Sequence, residues 1–104
     1  MKINYNQMMK QAQKMQADMA KAQENLKNEI IETTSGGGMV KVTANGHAKI
    51  LSIAINPEVV NPDDTEMLQD LILVAVNEAA DQAKELQTEL MQKMTGGLNL
   101  PGMM

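Results

Sequence analysis

Lys10, Lys14 and Lys21 recur four and then seven residues apart near the amino end of the chain. At roughly 100° per residue this spacing gathers them into one narrow sector of a helix. Three ammonium groups so arranged can follow a row of phosphates and displace its condensed counterions. Gln7, Gln11 and Asn25 flank the same sector with amide groups suited to phosphate oxygens or base edges. Lys41, His47 and Lys49 extend a basic strip onto a second segment, although polar residues around an Asn-Gly tip are also ordinary solvent-facing turn residues. Composition alone favours a plain solubilising surface for such lysines, so the polyanion reading needs further support.

Other chemistries find less to work with. The chain has no Cys, which removes disulfides, thiolate metal sites and thiol nucleophiles together. His47 is the single His and has no Cys or acidic pair at ligand spacing, so neither a metal set nor a general base is built around it. Ser35-Gly36-Gly37-Gly38 resembles a phosphate cradle only superficially, because a P-loop needs a following Gly-Lys-Ser/Thr and a helix, and here a strand follows. It reads as a connector. Asp63, Asp64 and Glu66 lack the alternating ligands of a calcium loop and fit the start of a helix instead. No catalytic residues, metal, cofactor or small-molecule substrate are expected.

The elements that must position these residues follow from length and patterning. A chain of 104 residues is one domain with a thin core. Without Phe or Trp and with one Tyr, its apolar mass comes from Leu, Ile, Val, Ala and eleven Met, which suits helix seams rather than an aromatic-filled barrel. No apolar run approaches a membrane span or a secretory signal, so a soluble, cytoplasmic protein is expected. The net charge of −4 argues against a nucleic-acid ligand, but it is unevenly spread. Residues 1–50 hold seven Lys against four acids, +3, and residues 51–104 hold two Lys against nine acids, −7. A basic surface can therefore exist on an acidic molecule.

Met8, Ala12, Met15, Met19, Ala22 and Leu26 alternate at four and three residues, predicting an amphipathic helix over 4–28. The Met stripe reads as core and dimer packing, with a docking groove for partner helices as the other use. Residues 29–34 are β-branched and predict a short strand, and the glycines after them predict a loop. Asn45-Gly46 between 39–44 and 47–56 predicts a hairpin with a two-residue type I′ turn, which needs positive φ at both centres. That register opposes Val42 to Lys49 and Val40 to Leu51, placing Val40, Val42, Leu51, Ile53 and Ile55 on a buried face. His47 and Lys49 would lie on that face near the tip, with Met39, Lys41, Thr43, Ile50 and Ser52 on the other side.

Asn61-Pro62-Asp63-Asp64 predicts the start of a second helix, with a cap, Pro in the first turn and carboxylates at the positive end. Leu68, Ile72, Ala75, Ala79, Leu86, Leu90 and Met94 continue it until Gly96-Gly97. Asp70, Glu78, Asp81 and Glu85 make one of its faces acidic, which assigns phosphate contact chiefly to the first helix. The fold class is therefore α+β: a long N-terminal helix, a three-stranded antiparallel sheet and a long C-terminal helix. Residues 1–95 form the single domain, and 96–104 a flexible Gly/Pro/Met tail. At 1.5 Å per residue the helices, about 37 and about 50 Å long, must overhang strands of roughly 23 Å. Overhanging apolar stripes and open sheet edges predict a homodimer with projecting helical arms.

This order of elements resembles the YbaB/EbfC family of bacterial nucleoid-associated proteins, nearly end to end. The likeness is carried by Met8-Met9-Lys10-Gln11-Ala12-Gln13-Lys14-Met15-Gln16, by Gly37-Gly38-Met39-Val40-Lys41-Val42-Thr43-Ala44-Asn45-Gly46, by Ile53-Ala54-Ile55-Asn56-Pro57 and by Leu71-Ile72-Leu73-Val74-Ala75-Val76-Asn77-Glu78-Ala79. The resemblance implies a dimer whose helices form tweezer-like arms around duplex DNA in the nucleoid, without catalysis or cofactor. It turns the odds on Lys10, Lys14 and Lys21 toward DNA binding, with Gln7, Gln11, Asn25, Lys41 and Lys49 as accessory contacts. The chain has no Arg, so bidentate guanine contacts fall to Lys and weakly specific, salt-sensitive binding is expected, compacting DNA and modulating transcription. The competing reading is a helical interaction adaptor working beside recombination or repair proteins.

Overall fold

The computed structural model describes residues 4–96. Helix α1 (Tyr5–Asn28) leads into strands β1 (Ile30–Ser35), β2 (Val40–Asn45) and β3 (Ile50–Ile55), a 3-10 turn (Pro57–Val59) and helix α2 (Thr65–Gly96). Asn4 starts α1 by accepting the Gln7 amide at 3.2 Å, and extended backbone at Glu29 ends it. The predicted α+β order of helix, three-stranded sheet and helix is what the structure contains.

The sheet is antiparallel with β2 in the centre. β1 and β2 are joined through Gly36, Gly37 and Gly38, all at positive φ (62°, 68° and 92°), a run of backbone conformations that side chains would strain. Alternation puts Ile31 and Thr33 of β1 and Val40, Val42 and Ala44 of β2 on one face, and all five are buried. α2 lies across this face on Ala75, Ala79 and Ala83, spaced four apart so that their methyl groups form one stripe. Small residues there let the helix backbone come close to the sheet. Thr33 donates to the Ala75 carbonyl at 2.7 Å and Ser35 to the Leu71 carbonyl at 2.6 Å, closing the joint with hydrogen bonds. Burying Val40 and Val42 completely stabilises the fold by roughly 1.5–3 kcal/mol each.

α1 takes almost no part in this core. Of its 24 residues only Leu26 is buried, and the molecule extends 75 × 27 × 16 Å. Its radius of gyration is 20.6 Å, where a compact chain of this length would show about 13 Å. The predicted overhang of the helices is thus present.

Three expectations fail in instructive ways. β2 and β3 are not joined by a two-residue turn: Val40 pairs with Ile55, Val42 with Ile53 and Ala44 with Ile50, with a bulge near Leu51. The loop is residues 46–48, closed by the Asn45 amide on the Lys49 carbonyl at 3.0 Å, and Asn45 Oδ1 accepts the His47 and Lys49 amides at 2.9 and 3.1 Å. Ala48, not Asn45 or Gly46, carries the positive φ, at 66°. His47 and Lys49 are therefore loop residues outside the buried face, and Ile50 turns inward against the core.

The second failure is the buried face of β3. Leu51, Ile53 and Ile55 are exposed at 47%, 45% and 36%, because α2 covers β1 and β2 but not β3. The third is the start of α2, which lies at Thr65. Asn61 and Pro62 form a separate turn, in which Asn61 Oδ1 accepts the Asp63 amide at 3.0 Å, and Asp64 caps the helix by accepting the Met67 amide at 3.2 Å. Two Asx side chains stand three residues apart, and the second is the one adjacent to the helical backbone. The predicted tail lies outside the described residues except for Gly96.

Candidate nucleic-acid interface

Because α1 is anchored at its carboxyl end, nearly all its circumference faces solvent. Lys10, Lys14 and Lys21 are exposed and lie within a sector of about 40° at 100° per residue. They run along roughly 17 Å of helix axis, about five steps of a DNA strand at 3.4 Å each. None of the three is ion-paired among the described residues. Asp18 stands three and four residues from Lys21 and Lys14 and reduces the local positive potential without closing an ion pair. Gln7, Gln11 and Asn25 are exposed beside the same sector, so the structure brings six of the eight predicted residues onto one face of one helix.

The other two sit elsewhere. Lys41 is on the open face of the sheet, the face α2 does not cover, with its Nζ 3.8 Å from Glu32 Oε1. Lys49 is exposed at the foot of the 46–48 loop, which packs against the carboxyl end of α1. Lys49 thus adjoins the arm near its root, whereas Lys41 belongs to a separate polar surface with Thr43 and Ser52, whose hydroxyls are 2.5 Å apart.

The loop itself is a joint that sequence reasoning did not anticipate. The Gly46 amide donates to the Leu26 carbonyl at 2.8 Å, and a Cβ on Gly46 would fall 2.5 Å from that oxygen. Gly46 is needed for this close approach to α1 and not for a left-handed turn. His47 Nε2 lies 2.8 Å from the Gln23 carbonyl, and Gln87 Nε2 of α2 donates to the Gly46 carbonyl at 2.8 Å. One short loop therefore ties α1, the sheet and α2 together. An Asn-Gly pair announces a turn, but nothing in its spacing announces a helix terminus 20 residues away in sequence.

Electrostatically the two helices diverge. Asp70, Glu78, Asp81 and Glu85 are exposed along α2 and form an acidic side. Among the described residues no three His, Cys, Asp or Glu converge as a metal set, and no helix is long and apolar enough to cross a membrane.

The fold and its charge distribution define a class: a small α+β body carrying a projecting basic helix and an acidic one. The chain belongs to the YbaB/EbfC DNA-binding family, which it matches over residues 1–98. A nucleoid-associated protein of Desulforamulus reducens is 60% identical over 100 residues, covering 96% of this chain and 95% of that protein. One of Ruminiclostridium cellulolyticum is 59% identical over 101 residues, covering 96% and 88%. Among solved structures, an uncharacterised Helicobacter pylori protein superposes with a TM-score of 0.80 over 90% of this chain and 99% of its own, at 24% identity, which establishes the shared fold. The family is one of DNA-binding proteins, and this protein is not an enzyme.

Proposed function

We propose that the protein is a nucleoid-associated factor that binds duplex DNA as a homodimer, through Lys10, Lys14 and Lys21 of α1 set against backbone phosphates. The observation that carries this reading is the row of three exposed lysines, free of ion pairs among the described residues, on a helix that buries only Leu26. Gln7, Gln11 and Asn25 add hydrogen bonds along the same face, and Lys49 adds charge at its root. Lys41 contributes less, since Glu32 offsets it. Contacts of this kind position a protein on DNA without reading bases, so specificity is weak and the effects are compaction and altered access for transcription.

The second copy is argued from β3. Ile53 and Ile55 share the α2 side of the sheet by register but lie beyond the helix, exposed. Leu73, 58% exposed, lies on the helix flank nearest them together with half-buried Ile72 and Val76, as the 100° periodicity and the contact of Leu71 with Gly36 on the opposite flank require. A two-fold partner would bring the same surface and cover it reciprocally. Such a dimer presents two arms and, on their contact faces, six lysines.

The test is a gel-shift titration of unrelated duplexes over a salt series, with the dimer checked by sedimentation equilibrium at micromolar concentration. Six neutralised phosphates give a log affinity against log salt slope of roughly −5. The triple variant Lys10→Ala/Lys14→Ala/Lys21→Ala is expected to keep fold and dimer, lose most of its affinity and flatten the slope. Unchanged binding in that variant refutes the site, and a wild-type monomer refutes the dimer.

A further inference from the structure

α1 is a lever: its anchoring contacts gather near Leu26, and its lysines extend away from them. Lys10 lies 16 residues before that anchor, about 24 Å along the axis, so a tilt of 10° at the root moves it by roughly 4 Å. That is the difference between touching a phosphate and missing it. Whatever sets the direction of α1 therefore sets how often all the lysines stand aligned to meet a duplex together.

Two hydrogen bonds from one loop grip the carboxyl end of α1, from the Gly46 amide to Leu26 and from the His47 ring to Gln23. They differ in kind. The Gly46 bond stands at a single backbone point, beside the buried Leu26 side chain. The His47 bond is made nearly one turn further along α1, so the two together define a direction. The Gln23 oxygen is a carbonyl and accepts, so His47 holds its proton on Nε2 and donates. A donor at the carboxyl end of a helix also meets the negative end of the helix dipole. The loop behind the ring is fastened to the body: Asn45 is 5% exposed with its Oδ1 holding the His47 and Lys49 amides, and Gln87 ties Gly46 to α2. The ring is thus mounted on the body and reaches out to the arm.

We propose that His47 is a positioning residue for DNA binding, whose imidazole donates to the Gln23 carbonyl and fixes the direction of the α1 arm relative to the body. The role rests on the reading of α1 as the DNA-binding arm, but the orientation of the arm can be measured without DNA. The chain has no Cys, so cysteines introduced by Gln13→Cys and Glu78→Cys carry the only spin labels. Mixing labelled protein with excess unlabelled chain confines each measured distance to one protomer. His47→Ala is expected to broaden the distance distribution between arm and body, and His47→Gln, whose amide donates from a similar reach, to restore it. In the gel-shift assay His47→Ala should weaken binding about five-fold with the salt slope unchanged, because the bound complex still engages every lysine and only the cost of aligning a freed arm is added; loss of the lysines flattens the slope instead. An unchanged distribution in His47→Ala overturns the proposal. Broadening that His47→Gln does not restore overturns the hydrogen-bond assignment, and broadening with undiminished affinity overturns the positioning role.

Discussion

α1 runs 24 residues and buries a single side chain, Leu26, whereas α2 runs 32 residues and buries Ala75, Ala79 and Ala83 against the sheet. Their charges are opposite as well. α1 has four Lys against Asp18 and Glu24, a net of +2; α2 has Lys84 and Lys93 against six acids, a net of −4. Both helices are amphipathic, so amphipathicity by itself does not say which one will be packed. The difference lies in the apolar residues. Alanines at four-residue spacing let α2 lie close along two strands, while the methionines of α1 project into solvent, with Met8 at 55% and Met15 at 44% exposure. A helix held along its length contributes stability, and a helix held at one end contributes reach. The basic helix is the one with reach, which is the arrangement the proposed phosphate contact uses.

The contrast can be broken at the level of single side chains. Val42→Ala in the body should be the most costly, lowering unfolding free energy by about 2 kcal/mol in urea titrations, since its fully buried side chain leaves a cavity under α2. A loss near zero would mean that the sheet and α2 do not carry the stability of the fold. Thr33→Val keeps the shape but removes the 2.7 Å bond to the Ala75 carbonyl, with an expected loss of about 1 kcal/mol in the same titration. An unaltered midpoint would reduce that hydrogen bond to an accessory of the packing.

Met15→Ala should have the smallest effect, within about 0.5 kcal/mol, because alanine is the better helix former and little packing is lost. A loss comparable to that of Val42→Ala would show that the Met stripe has a structural partner in the assembled protein. The arm would then no longer be free along its length.

Much of the architecture was legible from local pattern. The Met and Ala spacing marked α1, the glycines after Ser35 marked the β1–β2 turn, and the Lys spacing placed three charges on one sector, because helical geometry converts sequence separation directly into angle. Register and cover were not legible. Asn45-Gly46 suggested a two-residue turn; the loop instead includes His47 and Ala48, shifting each β3 residue against its β2 partner. Its glycine answers to the Leu26 carbonyl, a contact no local rule encodes.

The order of elements, the helical periodicities and the separation of basic from acidic segments are therefore properties of the chain read on its own, since each depends on neighbours within a few residues. Which apolar face is buried, why β3 is left uncovered and how α1 is fastened were decided only in three dimensions. Those features depend on where α2 comes to rest across the sheet and on two hydrogen bonds between residues more than 19 positions apart. Packing is a competition among all apolar surfaces at once, and it has no counterpart in the spacing of any one segment.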